Sequence, residues 1–169
     1  MGYRFQFLRC WLLFFLAAQV VAGLWMAVSG PEIVVPEYFN RISEGFWNSS
    51  TVPNQVAPYH RWIFAVLGST MAAWSFLAGC LVLIPFREKK RWAFVALSLS
   101  LLLWFPVDTW FSVSLSVWPN VLVNVVAMAG MGLPLWLMRR EFFPVEVKEP
   151  SATVPVEEPD SAEGKKARG

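Results

Sequence analysis

Histidine, cysteine and charge are all scarce in this sequence, and each shortage excludes something. A single histidine, His60, rules out a multi-histidine metal centre. The two cysteines, Cys10 and Cys80, are far apart in the chain, so the closely spaced thiol pair of a redox enzyme is missing. No lipoprotein signature surrounds Cys10, and both thiols read as small hydrophobes. Charged residues make up 15% of the chain, against about 25% in an ordinary soluble domain. Hydrophobic residues make up 56%, a balance that a membrane protein needs and a water-exposed globule does not. No catalytic, metal or cofactor motif stands out, and no cofactor is expected.

What the chain does have is four long apolar segments, at 8–28, 62–84, 92–113 and 121–138. Each is near the roughly 20 residues that a helix needs to cross a hydrocarbon core of about 30 Å. The expectation is an all-α integral membrane protein, a four-transmembrane-helix bundle occupying 1–143, with the lipid bilayer as its first partner. From 144 to 169 the character changes. Pro144, Pro150, Pro155 and Pro159 interrupt a stretch rich in Glu, Val and Ala, which predicts a disordered C-terminal tail.

Charge distribution predicts orientation. With the N-terminus inside, only Arg41 and Arg61 of the fourteen Lys and Arg residues lie outside. The short loop Arg87-Glu88-Lys89-Lys90-Arg91 carries most weight, because basic residues in short loops set topology. The expected arrangement is N-in/C-in, in a bacterial cytoplasmic (inner) membrane. The same loop is too small a footprint for a nucleic-acid groove and reads as a solvated turn near anionic headgroups. Trp11, Trp92 and Trp136 fall near one surface and Trp25, Trp62, Trp110 and Trp118 near the other, as amphipathic indoles do at interfaces. Trp74 and Trp104 sit deeper and read as packing.

The first segment has a rival reading as a secretory signal, with Arg4 and Arg9 ahead of an apolar run and Val20-Val21-Ala22 before Gly23. The run continues through Leu24-Trp25-Met26-Ala27-Val28, long enough to span, and retention of the helix is the expectation. Between the first two spans, an outer loop at about 30–59 is too long to be featureless. Within it, 37–47 reads as a short amphipathic helix, with Phe39, Ile42 and Phe46 on one face beside Tyr38, and Glu37, Arg41 and Glu44 on the other. An irregular loop anchored by its aromatics is the alternative. Asn48-Ser49-Ser50 matches an N-glycosylation acceptor, relevant in a eukaryotic secretory pathway. Trp118-Pro119-Asn120 reads as the turn between the last two spans.

Small residues predict the packing. In the second span Ala65, Ser69 and Ala73 form one strip, Gly68 and Ala72 an adjacent one, and Ser75 and Gly79 extend the pattern. Such strips let backbones approach closely where lipid supplies no hydrophobic drive. The second span is therefore expected at the centre, facing Ala18 and Ala22 of the first and Ala127 and Gly130 of the last. A homo-oligomer or another membrane protein meeting one of these strips is the competing reading. Gln19 is expected to make an interhelical hydrogen bond.

One constellation carries chemistry. Ser100, Trp104, Asp108, Ser112 and Ser116 recur at i+4 in the third span, and Asp108 is the ionisable residue that falls well inside a span. It stands about 24 Å from the basic end, two residues after Pro106, where a kink is expected and where Ser112 or Thr109 would satisfy the freed carbonyls. Two readings stand side by side. In one, Asp108 is a structural clamp, satisfied by Arg61 or His60 at the start of the second span and by Asn120 and Asn124, i, i+4 neighbours at similar depth. In the other, Asp108, Ser112, Asn120, Asn124, Arg61 and His60 form a ligand or proton site. Three function classes follow, in this order: a non-enzymatic membrane component (an accessory subunit, or a binder of a lipid or small amphiphile), a small proton-coupled transporter using Asp108, and an integral-membrane enzyme, for which only His60 offers a second group.

Overall fold

A computed structural model of the chain describes residues 2–29 and 36–144. Among them are five helices and no strand: α1 Tyr3–Ser29, α2 Pro36–Trp47, α3 Ala57–Leu83, α4 Arg91–Ser114 and α5 Trp118–Phe142. All but α2 are long and apolar enough to cross a membrane. The stretch expected as a disordered tail, from 145 onward, lies outside the described residues, as does the start of the outer loop.

The amphipathic segment forms α2. Pro36 occupies its first position, where the missing N–H costs nothing, and Glu37 lies in the first turn, where the helix dipole favours an acid. Glu37 also pairs with Arg41 at 2.9 Å. Phe39, Ile42 and Ser43 are buried against the bundle, whereas Phe46, expected on that face, is 49% exposed.

α1, not α3, is the hub of the bundle. It packs along α3 and also against α5, and α5 in turn packs on α4, while α3 and α4 barely meet. The reason is a glycine crossing. A Cβ on Gly68 would stand 2.5 Å from the Gly23 carbonyl oxygen, and a Cβ on Gly23 would stand 2.6 Å from that of Gly68. Ala27 and Ala72 flank the contact. Only paired glycines admit two backbones at this distance. The Gly68/Ala72 strip is thus the one used, against Gly23 and Ala27 of α1; Ala18 and Ala22 are exposed instead, as are Ser69 and Ala73. On α5 the small residues meet α1 instead of α3: Ala127 is buried, and a Cβ on Gly130 would meet the Phe15 ring of α1 at 2.5 Å. Ser75 donates to Gln19 Oε1 at 3.1 Å, the expected link between α1 and α3.

The two ends of the bundle are packed differently. At the basic end, Phe5, Phe86 and Phe142 are fully buried. Phe142 stands 4.8 Å from Phe86 and 4.9 Å from Phe94 between ring centroids. Leu12, Leu16, Leu97, Leu101, Met131 and Leu135 continue this core along the helices. Lys89 pairs with Glu141 at 2.6 Å, and Arg91 Nε donates to the Phe142 carbonyl at 3.0 Å. The end capped by α2 has an aromatic group of its own, with buried Phe39 4.7 Å and His60 4.6 Å from Phe64 between ring centroids.

Trp118-Pro119-Asn120 is not the turn between α4 and α5. Those residues form the first turn of α5, and Pro119 sits among its first two positions, where proline is preorganised for the helix. The reversal is made earlier, at 115–117, with Ser116 in the left-handed region at φ 58°. Consequently Asn120 and Asn124 are both helical and share one face of α5.

Candidate functional site

Asp108 sits on α4 where that helix faces the first turns of α5. Its carboxylate receives donors from both helices. Asn120 Nδ2 reaches Oδ1 at 2.6 Å and Asn124 Nδ2 reaches it at 2.8 Å. Ser112 Oγ lies 3.2 Å from the same oxygen while donating at 2.7 Å to the Asp108 carbonyl. Trp104, one turn before the acid, points its indole N–H at Oδ2 at 3.2 Å. Every one of these partners is neutral, and every one donates, which suits a group that accepts through both oxygens.

The remaining valences of the two amides are used as well. The second N–H of Asn120 meets Ser112 Oγ at 2.8 Å, and that of Asn124 meets Thr109 Oγ1 at 3.3 Å. From α2, the Tyr38 hydroxyl donates to Asn120 Oδ1 at 2.8 Å. The short helix is thereby latched to the polar cluster. Burial, and secondarily the negative charge of Asp108, push the Tyr38 hydroxyl up to about 12. The proton that makes the latch is thus held firmly.

The expected cluster therefore forms, with changes of membership. Asp108, Ser112, Asn120 and Asn124 are brought together, and Tyr38 and Trp104 join them. Arg61 does not: it is exposed, and among the described residues it makes no ion pair with Asp108. His60 lies instead among aromatic rings, 4.6 Å from Phe64 and 6.2 Å from both Phe39 and Trp47. Its place on the His60, Phe64, Leu67 face of α3 directs it under α2, and Arg61 is about 100° further round the helix. Ser100 donates to its own Ala96 carbonyl and Ser116 is exposed in the turn, so only the middle of the polar stripe takes part. α4 runs as helix through Pro106, and the carbonyl that Ser112 binds is that of Asp108, not one released by the proline.

Beside the cluster, where α3 and α4 diverge beneath α2, lies an open groove of about 670 Å³. Leu67 and Phe64 of α3, Leu103, Val107 and Phe111 of α4 and Ile42 of α2 give it apolar walls, and Tyr38, Trp104, Asp108, Ser112 and Asn120 form its polar side. A second hollow of about 430 Å³ between α4 and α5, around Phe105, Met128 and Trp136, has no ionisable residue in its lining. Among the described residues no group of three or more His, Cys, Asp or Glu is placed to hold a metal.

Of the two added partners, Trp104 belongs to the i+4 stripe but not to the expected site, and Tyr38 belongs to neither. Trp104 had a signal, since it stands one turn before Asp108 in the i+4 stripe. Tyr38 had none: 82 positions separate it from Asn120. Comparisons with protein-family models, with curated proteins and with solved structures gave no match.

Proposed function

We propose that this protein is a non-enzymatic membrane component whose groove between α3 and α4 holds a lipid or small amphiphile. The observation that carries this reading is the shape of the groove: about 670 Å³ of largely apolar wall with one polar flank at Asp108 and Asn120. Sites for small apolar ligands have this volume and this pattern, a greasy lining with a few fixed polar groups that set orientation. Between the two forms of membrane component, the groove favours a binder over an accessory subunit that merely packs.

The charge asymmetry supports an N-in/C-in orientation in a bacterial cytoplasmic membrane, with the basic Arg87–Arg91 turn inside and the groove opening near the outer surface. Reporter fusions after Arg91 and Arg140 are then cytoplasmic and fusions near Ser50 external; an external reading after Arg91 reverses the orientation. The amphiphile reading is tested by native mass spectrometry of protein extracted gently from its membrane. Wild type is expected to retain an amphiphile that Leu67→Trp, which fills the groove, releases. Equal lipid retention by the two proteins, or none by wild type, overturns the reading.

A further inference from the structure

We infer that the groove selects amphiphiles whose head is a cation, an amine or quaternary ammonium that pairs with Asp108. This rests on the amphiphile reading of the groove and adds the identity of the head.

The first argument is charge balance. The described ion pairs are Arg41 with Glu37, Lys89 with Glu141 and Lys90 with Glu88, so Asp108 has no cationic partner among the described residues. Its partners are two amides, a hydroxyl and an indole. Neutral donors solvate a carboxylate without neutralising it, and an acid at membrane depth gains most from a true counter-charge.

The second argument is the direction of the hydrogen bonds. Oδ1 takes two amide donors at 2.6 and 2.8 Å, with Ser112 Oγ 3.2 Å away, whereas Oδ2 takes one donor, at 3.2 Å, and so keeps room for another. What approaches Oδ2 must be a donor or a positive charge. An anionic head finds the opposite. The Tyr38 hydroxyl, both N–H groups of Asn120, the Ser112 hydroxyl and the Trp104 indole are already committed, so the polar flank offers a phosphate or carboxylate no free donor and one negative charge.

The walls give the third argument. Tyr38, Phe64, Trp104 and Phe111 line the groove, and aromatic faces attract ammonium groups through their negative quadrupole. Leu67, Leu103 and Val107 provide an apolar path for one alkyl chain beside them. The occupant that meets all three conditions is a single-chain amphiphile with one positive nitrogen.

The test uses the full-length protein in neutral sugar-detergent micelles. Equilibrium dialysis compares three labelled probes of one chain length: a trimethylammonium, an alcohol and a carboxylate. Wild type is expected to bind the ammonium about tenfold or more tighter than the alcohol, the scale of one charge-assisted contact, and the carboxylate weakest. Asp108→Asn should remove the preference of ammonium over alcohol, while Leu67→Trp should abolish binding of both. Should Asp108→Asn not fold, the headgroup order on wild type decides alone. Equal binding of ammonium and alcohol by wild type, or an ammonium preference that survives in Asp108→Asn, overturns the cation inference and leaves the amphiphile reading standing. No binding of any probe above the Leu67→Trp level removes both.

Discussion

Replacing Asp108 by Leu and by Asn separates what the acid does for the fold from what it does in the groove. In Asp108→Leu, three donors lose their acceptor: one N–H of Asn120, one of Asn124 and the Trp104 indole. Ser112 keeps the backbone carbonyl of residue 108 at 2.7 Å, and each amide keeps its second contact, on Ser112 and on Thr109. Asn124 is 2% exposed, so its orphaned N–H carries a full penalty of about 1–3 kcal/mol. Asn120 and Trp104 are only half-buried, and solvent in the groove reduces their shares. Relief from desolvating a carboxylate offsets part of the loss. The net expectation is roughly 2–4 kcal/mol of destabilisation. Asp108→Asn retains an oxygen for Asn120 and Asn124 but weakens those bonds by removing the charge, and it turns an NH₂ toward the Trp104 N–H, one donor against another. That adds up to about 1–2 kcal/mol. Reversible unfolding in mixed micelles, followed by circular dichroism, checks the order: wild type, then Asn, then Leu. Wild-type stability in both variants would refute the claim that the acid ties α4 to α5.

Three further outcomes follow from the geometry. Gly68→Ala sets a Cβ 2.5 Å from the Gly23 carbonyl, backbone that cannot yield, and should destabilise the bundle by about 1–3 kcal/mol in the same unfolding assay; Gly45→Ala, where nothing lies within 4 Å, should not. Tyr38→Phe should lose about 1 kcal/mol and loosen α2, seen as faster proteolysis within the 36–47 segment. In an absorbance titration, the wild-type minus Tyr38→Phe difference should show a tyrosinate forming near 12 rather than near the ordinary 10. The native state holds this proton more tightly than the unfolded chain, so the contribution of Tyr38 is complete below about 10 and is lost as pH rises toward 12.

The spans were legible because a continuous apolar run of about 20 residues has few other readings, and their bounds moved by only a few residues at each end. α2 was legible for a different reason: Phe39 and Ile42 recur on one face with Glu37 and Arg41 opposite. The heart of the cluster was legible from spacing, since Asn120 and Asn124 at i, i+4 must share a face. The misses have a common cause. Sequence fixes the position of a residue along a helix but not the azimuth of one helix against another. Arg61 and Asp108 both lie in the α2-side parts of their helices, yet Arg61 is exposed and makes no ion pair with Asp108 among the described residues. Small-residue strips occur on both α1 and α3, and nothing in their spacing says which pair meets. The groove lies between three helices, and no local pattern encodes it.

The glycine crossing and the groove are two consequences of one arrangement. The crossing of Gly23 and Gly68 draws α3 hard against α1. α4 is held elsewhere, by α5, through Asp108, Asn120 and Asn124. With α3 bound to one partner and α4 to another, the two diverge beneath α2, and the groove opens beside the aromatic group of Phe39, His60 and Phe64. α2 spans the opening with Ile42 and Tyr38 and is fastened to the acid's own cluster through Asn120. The hydrogen bonds that tie α4 to α5 and the one that fastens α2 thus meet in a single side chain, Asn120.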